Sequence, residues 1–311
     1  MKYNIENNNL HKKQKANVIR NLMMYHYCDP VFEKLQNIPY AVIKGEVLSI
    51  IAYGEVGFRA CGDLDILIPR SYAEIVKKIL IENGFEKDLH DGEKQRDVTR
   101  KEKIMFMNSH QTEPYVKIID GKRLVHIDIN VDIFWGEYRG KRIDLNSFLS
   151  DTHVMEIYKK HVKILSNIKH FIVLCLHHYK EMNAIYHFAI KNAFNEKMFE
   201  DIYKLYLKLT VDDLEKLDEF VFTYQLEEIF YYMLYYTSLV FSDSNLKLQA
   251  SHYETKEGID HLDYYGLTNK ERKRWSIPFV ERMNHPNIFE IIKKDLSIDD
   301  INKMNLALSI F

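Results

Sequence analysis

The short motif Gly62-Asp63-Leu64-Asp65 carries two aspartates that are separated by one residue. In a β-strand, residues i and i+2 point to the same side, so both carboxylates would project from one face. Two adjacent negative charges are unfavourable unless a cation neutralises them. Carboxylate oxygens are ligands that Mg²⁺ prefers, and Mg²⁺ also accepts oxygens from a triphosphate. The motif therefore predicts a magnesium–triphosphate site, although a bare pair of this kind is also common on solvated surfaces.

A second row of polar side chains lies in residues 124–133, where every odd position is apolar. The even positions after Leu124 are His126, Asp128, Asn130 and Asp132. If this strand pairs beside the first motif, a third carboxylate comes close to the first two. Three carboxylates can hold two metal ions about 3.5–4 Å apart, one activating the attacking oxygen and one stabilising the leaving pyrophosphate. The pattern leaves open whether Asp128 or Asp132 is the third ligand. The preceding His126 and the distance from the hairpin turn favour Asp128.

A glycine follows a predicted strand in Val42-Ile43-Lys44-Gly45, just before a helical segment. Glycine lets backbone N–H groups approach a phosphate, and a helix N-terminus favours negative charge. Lys44 could add a positive charge at the same place. Neither GxxxxGK[ST] nor GxGxxG occurs in the sequence, so a Walker A loop and a dinucleotide fingerprint are excluded.

The elements that position these groups can be predicted from hydrophobic spacing and turn residues. Asp120-Gly121 marks a tight hairpin turn, because glycine readily takes the positive φ that such a turn requires. The charge-dense segment 88–103 is predicted to be a solvated loop, and residues 104–107 a short strand. The other predicted elements are helical structure over 10–35, a strand at 40–43, a helix at 46–52, a strand at 64–68, and hairpin strands at 115–119 and 124–133.

From about residue 165 onward the hydrophobic spacing is mainly helical. The predicted fold class is therefore α+β, with a small mixed-sheet core between N-terminal helices and a C-terminal helical domain. The predicted boundaries give an N-terminal helical segment at 1–35, the α/β core at 36–160 and the helical domain at 161–311.

The composition restricts the class of protein further. A hydrophobic fraction of 46% and a charged fraction of 28% are typical of a globular chain that buries a core. The net charge of −2 provides no strong signal for nucleic-acid binding. The three cysteines form no CxxC pair, which favours a reducing compartment. Since the N-terminus is polar and no apolar run approaches the ~20 residues of a membrane span, we expect a cytoplasmic protein without a membrane partner.

Three histidines in the predicted helical region are candidate metal ligands. His177, His178 and His187 do not have the HExxH spacing, and no carboxylate lies at the offset which that motif requires. The sequence therefore favours ordinary core or surface histidines over a zinc site.

The stretch from Ala41 to Ile68, AVIKGEVLSIIAYGEVGFRACGDLDILI, resembles the nucleotide-binding segment of the DNA polymerase β-like nucleotidyltransferase superfamily. More narrowly, it resembles a bacterial nucleotidyltransferase family with the order KG, L, Y, R and GD(I/L)D. Lys44-Gly45 corresponds to the family's glycine turn, and Tyr53 and Arg59 to its intermediate tyrosine and arginine. Gly62-Asp63-Leu64-Asp65 corresponds to its first two metal ligands.

Softer similarities extend the resemblance to about residue 210. The family's third acidic strand corresponds to residues 126–131, with Asn130 and Val131 in place of the usual His and Trp, or to residues 131–135 with Asp132 as the acid. Residues 174–180 resemble a family helix that reads LCLH, and the segment around Asp201 resembles the helix that follows it.

The resemblance implies a palm-like nucleotidyltransferase core. Asp63, Asp65 and Asp128 would be catalytic and would bind Mg²⁺ at a two-ion site, with Asp132 as a further candidate ligand. The nucleotide-binding candidates are Lys44, Gly45, Arg59 and Gly62. The implied substrate is a nucleoside triphosphate such as ATP, and the acceptor (a small molecule, an RNA or a protein) is not identified.

Two alternatives remain beside this interpretation. One is a toxin-like nucleotidyltransferase that acts on tRNA or protein. The other is a catalytically inactive member of the fold that serves as a binding module, an option kept open by Asn130 and Val131.

Overall fold

The structure, a computed structural model, describes residues 2–91, 94–135, 141–190 and 194–308. The chain divides into two compact units. Unit 1 consists of Met1–Gly136 and Arg142–His170, and unit 2 of Glu137–Lys141 and Phe171–Phe311. Helices at both ends of the chain and a seven-stranded mixed sheet confirm the predicted α+β fold class.

Unit 1 contains the sheet and the helices that cover it. Its helices are α1 (Lys2–Leu35), α2 (Gly45–Tyr53), α3 (Ala73–Glu82), α4 (Arg100–Asn108) and α5 (Leu145–Phe148). Its strands are β1 (Ala41–Ile43), β2 (Leu64–Leu67), β3 (Glu86–Lys87), β4 (His90–Asp91), β5 (Lys94–Gln95), β6 (Tyr115–Ile119), β7 (Lys122–Asn130), β8 (His153–Ile157) and β9 (Lys160–Ile164).

The seven strands of the main sheet have the order β3-β6-β7-β2-β1-β9-β8. Strand β2 pairs with β7 in parallel and with β1 in antiparallel orientation. Strands β1 and β9 are also parallel. The sheet is therefore mixed, and the two strands with the candidate carboxylates are neighbours in its interior.

One hydrophobic core lies between this sheet and the helices α1 and α3. On α1 the buried apolar residues follow helical spacing, as expected for a helix with one apolar face. They are Met24, Tyr25, Cys28, Val31, Phe32 and Leu35. From the sheet, Ile66 and Ile127 contribute side chains without measurable exposure. Burial of this face fixes which side chains of β2 and β7 point to the opposite side.

The predicted hairpin is confirmed. Strands β6 and β7 are antiparallel, and the turn residues Asp120 and Gly121 have φ angles of 50° and 71°. Both angles are positive, which is what a two-residue hairpin turn of the favoured hand requires. Val125, Ile127 and Ile129 on β7 are fully buried, so the alternation of apolar and polar positions in the sequence reflects two real faces.

The predicted loop over 88–103 and the predicted strand at 104–107 are wrong. Residues His90–Asp91 and Lys94–Gln95 form the strands β4 and β5, and Arg100–Asn108 form the helix α4. Its start is a capping box, in which the Thr99 hydroxyl accepts from the Glu102 N–H while the Glu102 carboxylate accepts from the Thr99 N–H. Arg96 also donates to both carboxylate oxygens of Glu102, at 2.6 and 2.8 Å. The high charge density suggested a loop, but these charges pair locally and stabilise the helix start.

The described residues of unit 2 form helices and one two-stranded ribbon. Its elements, beginning with a helix that crosses the boundary between the units, are α6 (Asn167–Asn183), α7 (Ile185–Ala189), α8 (Glu196–Tyr206), α9 (Val211–Tyr224), α10 (Glu227–Phe241), α11 (Ser244–Ser251), α12 (Lys256–His261), β10 (Tyr264–Tyr265), β11 (Lys273–Arg274), α13 (Phe279–Asn284), α14 (Ile288–Ile292) and α15 (Ile298–Leu308). Helix α10 is almost entirely buried and forms the centre of this unit. Among the described residues, no helix is both long and apolar enough to cross a membrane.

A glycine in the loop between α2 and β2 gives a stability test. A Cβ at Gly57 would lie 2.4 Å from Val18 Cγ2 and 2.9 Å from the Gln14 carbonyl oxygen, and Gly57 has φ +69°. We predict that Gly57→Ala lowers the free energy of unfolding by about 1–2 kcal/mol for the left-handed backbone and by about 1–3 kcal/mol more for the clash. Urea unfolding followed by circular dichroism measures this loss.

The matched control is Gly54→Ala. Gly54 also has a positive φ of +75°, but a Cβ there meets no atom within 4 Å. The control should show only the backbone cost of about 1–2 kcal/mol. Equal losses in the two variants would contradict a tight contact between this loop and α1.

Candidate functional site

The parallel pairing of β2 with β7 brings two candidate carboxylates together. Asp65 lies directly opposite Asp128 in the register of the two strands. Asp65 is 6% exposed, whereas Asp128 is half-buried. Asp63 lies just before β2 and is exposed. Three carboxylates therefore meet at one side of the sheet, graded from buried to solvent-facing.

Asp65 has two donors on one carboxylate oxygen. The Lys44 ammonium lies 3.0 Å from Asp65 Oδ1, and the Asn130 amide donates to the same oxygen at 3.0 Å. A buried carboxylate requires such partners, because an unpaired charge inside a protein is strongly unfavourable. Asn130, one of the two residues that depart from the family pattern, thus has a defined role in orienting Asp65.

The Lys44-Gly45 turn is held next to this carboxylate by strand pairing. Ile43, the last residue of β1, is the partner of Asp65 in the antiparallel register. Lys44 then has φ 59° and ψ −149°, a region that residues other than glycine rarely occupy. A Cβ at Gly45 would lie 3.0 Å from Cys61 Sγ. The turn thus brings the backbone close to its neighbours and carries local strain, which is common at functional sites.

The electrostatic environment of Asp63 is unfavourable for its negative charge. Crowding by surrounding protein atoms raises the pKa of this carboxyl, and the Asp65 carboxylate raises it further. The Lys44 ammonium acts in the opposite direction. The net effect is a raised pKa, as expected where like charges lie close together.

Asp132 has a different environment from Asp128. It lies beyond the end of β7 and is 5% exposed. Its Oδ1 accepts from the Phe134 N–H at 3.0 Å, and its Oδ2 lies 3.3 Å from Arg142 Nε. Burial raises the pKa of this carboxyl, although the Phe134 N–H and the Arg142 guanidinium lower it. Asp132 is therefore already bound by protein donors at both oxygens, and its position opposes no residue of β2.

The remaining sequence candidates lie on the loop before β2. Gly62 directly precedes Asp63 and is exposed. Arg59 is half-buried, and its backbone N–H donates to Ser49 Oγ of α2 at 2.7 Å. The structure thus brings Lys44, Gly45, Asp63, Asp65 and Asp128 together. For Arg59 it shows that the loop is attached to α2 through this bond and to α1 through the Asn21 amide, which donates to the Arg59 carbonyl oxygen at 3.3 Å.

The buried residue Glu46 is a site component that the sequence reasoning missed. Its carboxylate is 1% exposed and accepts from Asn21 Nδ2 at 2.6 Å, from the Gly57 N–H at 2.9 Å and from the Tyr158 hydroxyl at 2.5 Å. These donors come from α1, from the loop before β2 and from the β8–β9 turn. Glu46 therefore fixes the path of the chain from the glycine turn to Asp63. An acidic residue inside the otherwise apolar segment 46–52 was the available signal, because such residues are buried only when paired.

Comparison with known families identifies the class of protein. A family model described as "Uncharacterised nucleotidyltransferase" matches residues 5–242. Since this match covers well over half of the chain, the protein belongs to that nucleotidyltransferase family. No curated protein matches the chain.

The raised pKa of Asp63 predicts a pH-dependent stability difference. In metal-free protein, Asp63→Asn should increase the free energy of unfolding at neutral pH by less than about 1 kcal/mol, since the carboxylate is exposed and screened. A raised pKa in the folded state means that the wild-type protein loses stability as pH rises through that pKa. The gain should therefore be present above the raised pKa and absent below about pH 4, where the carboxyl is protonated in both states.

Thermal unfolding in EDTA across this pH range measures the difference. Asp120→Asn is the control, because Asp120 lies in the exposed hairpin turn. A variant that is less stable than wild type at neutral pH would contradict charge repulsion at Asp63.

Proposed function

We propose that this protein is a Mg²⁺-dependent nucleotidyltransferase of the DNA polymerase β-like superfamily. It would transfer a nucleoside monophosphate from a nucleoside triphosphate, with ATP as a candidate, to a hydroxyl group of an acceptor. The observation that carries the proposal is the register of Asp65 with Asp128 on adjacent parallel strands, beside the Lys44-Gly45 turn. The family match supports the reaction class.

The donor atoms fit a hard divalent cation. Asp63, Asp65 and Asp128 offer only carboxylate oxygens, and the Lys44 ammonium already lies against one of them as a cation would. When bound by these residues, Mg²⁺ would neutralise charge on the triphosphate and on the leaving pyrophosphate. The raised pKa of Asp63 agrees with this assignment, since a cation would relieve the repulsion between neighbouring carboxylates.

The chain's own groups would position the triphosphate. The backbone N–H groups at the start of α2 and the positive end of its helix dipole favour a phosphate group. The ammonium of Lys44 would add a positive charge, because this group can turn from Asp65 towards a phosphate oxygen. Gly45 is suited to this contact, because it has no side chain to separate the backbone from the ligand.

The chemical step would be an in-line displacement at the α-phosphorus. The acceptor oxygen forms a bond to this phosphorus while the bond to the bridging oxygen of pyrophosphate breaks. The proton of the acceptor hydroxyl would pass to the carboxylate of Asp128, which is half-buried and lies next to Asp65. Gln111 Nε2, 3.4 Å from Asp128 Oδ2, would help to orient this carboxylate.

Asp128 is a better third carboxylate than Asp132 for a physical reason. Binding a metal through Asp132 would require its oxygens to leave the Phe134 N–H and the Arg142 guanidinium. Removing those partners from a carboxylate that is 5% exposed costs free energy, whereas Asp128 is half-buried and lies opposite Asp65 in the strand register. The proposed role of Asp132 is to fix the chain after β7.

The proposal predicts that substitution of Asp128 lowers the reaction rate much more than substitution of Asp132. Asp128→Asn should lower the rate of triphosphate-dependent labelling of the acceptor by at least about 100-fold, because a metal ligand provides several kcal/mol of transition-state stabilisation. Asp132→Asn should change the rate by less than about 10-fold after correction for folded protein. Labelling of a cell extract with α-³²P-labelled nucleoside triphosphates provides both the assay and the acceptor.

Calorimetric titration with Mg²⁺ and a non-hydrolysable triphosphate gives a readout that does not depend on the acceptor. Wild type and Asp132→Asn should bind, whereas Asp65→Asn should not show Mg²⁺-dependent binding. Binding without any labelling would favour an inactive binding module. Full labelling by Asp63→Asn or Asp65→Asn would contradict the proposed site.

A further inference from the structure

Three potential metal ligands converge on helix α6 in unit 2. They are His177, His178 and Glu181, and one ligand atom from each lies within 4.8 Å of the others. His178 and Glu181 are buried, while the His177 side chain is 22% exposed. The cluster therefore combines two imidazoles and a carboxylate at a place that solvent reaches from one side.

The helix geometry explains why these side chains meet. Residues i and i+4, and i and i+3, lie on the same helix face, so Glu181 can reach both preceding histidines. Glu181 Oε1 lies 3.3 Å from His177 Nε2, and Glu181 Oε2 lies 2.8 Å from His178 Nδ1. The two adjacent histidines thus present different ring nitrogens to one carboxylate. The HExxH spacing is unnecessary for convergence of this kind.

These distances are close to those within a zinc coordination sphere. Bonds of about 2.0–2.1 Å in a tetrahedral site place neighbouring ligand atoms about 3.3 Å apart.

A buried carboxylate also lies behind one of the histidines. His178 Nε2 lies 3.9 Å from Oδ2 of Asp201, a residue of α8 without measurable exposure. Within the described part of the chain, this buried nitrogen has no hydrogen-bond partner. When a metal binds Nδ1 of a histidine, Nε2 carries the proton and is commonly oriented by a carboxylate. The Asp201 carboxylate is placed to accept a hydrogen bond from this Nε2–H if the two groups move slightly closer.

We propose that His177 Nε2, His178 Nδ1 and the Glu181 carboxylate form a Zn²⁺ site, with Asp201 orienting His178 from α8. Two imidazole nitrogens and one carboxylate oxygen are typical zinc ligands, and three protein ligands leave a fourth position for water. Mg²⁺ prefers oxygen ligands and is not expected here. The site is independent of the proposed nucleotidyl transfer, since it uses none of the carboxylates of unit 1.

The test is metal titration of the full-length protein after EDTA treatment and buffer exchange, with excess Mg²⁺ present to occupy oxygen-only sites. Wild type should bind one Zn²⁺ per chain in competition with a chromophoric chelator. The Co²⁺ form should show the intense visible absorption of a four-coordinate site, which carboxylate-only binding does not produce. Absence of a bound ion, or a weak six-coordinate Co²⁺ spectrum, would overturn the proposal.

Substitutions connect the metal to these residues. His177→Gln and Glu181→Gln should each weaken Zn²⁺ binding by more than about 100-fold, and Asp201→Asn by about 10- to 100-fold, as expected for a residue that orients a ligand. His252→Gln is the matched control, because His252 also faces a carboxylate, Asp218 at 3.8 Å, within the same unit. Its affinity should equal that of wild type.

His177 is the least buried ligand, so its substitution is the least disruptive to folding. If Glu181→Gln fails to fold, His177→Gln therefore tests the zinc site. Circular dichroism in EDTA verifies that each variant has the helix content of wild type. Unchanged Zn²⁺ affinity in a folded His177→Gln variant would refute the site, whether or not the protein transfers nucleotides.

Discussion

The parallel pairing of β2 with β7 is the constraint from which the candidate site follows. It places Asp65 and Asp128 side by side, where like charges repel and where the interior offers little water to screen them. The pairing is fixed by the opposite face of the sheet, because Ile66 and Ile127 are fully buried there. A register shift of one residue would turn these apolar side chains outward. The hydrophobic core therefore enforces a carboxylate arrangement that is unfavourable by itself, and Lys44 and Asn130 compensate for part of it.

A second buried carboxylate, that of Glu46, is also stabilised by donors from the surrounding chain. Glu46 is a buried negative charge, and its donors come from three separate parts of unit 1. Each donor gains a charge-assisted hydrogen bond, which is stronger than a bond between neutral groups. A buried donor without an acceptor costs free energy, so the three donors favour the one chain path in which all of them reach Glu46. Glu46 thus holds the glycine turn in place relative to its neighbours, as a site of aligned carboxylates requires.

Local signals made much of unit 1 predictable. The Asp120-Gly121 turn, the alternation along β7 and the fold class follow from patterns within a few residues, and the structure confirms them. The pairing of β7 with β2 could be stated only as a condition, because residues far apart in sequence carry no mutual register signal. The three donors to Glu46 are equally non-local. Helix α4 is different, because its signal is local. The Thr99–Glu102 capping box is present in the sequence, whereas the loop prediction rested on charge density alone.

The two candidate metal sites illustrate how donor chemistry can separate ions within one chain. Asp63, Asp65 and Asp128 offer oxygens only, and their crowding favours a small hard cation that also accepts phosphate oxygens. His177 and His178 offer nitrogens, which bind Zn²⁺ far better than Mg²⁺. The sequence pattern favoured the first site because alternation in a strand displays its carboxylates directly. It disfavoured the second because the HExxH spacing is absent. Convergence on Glu181 depends instead on which ring nitrogen each histidine presents, and spacing along a helix does not show that.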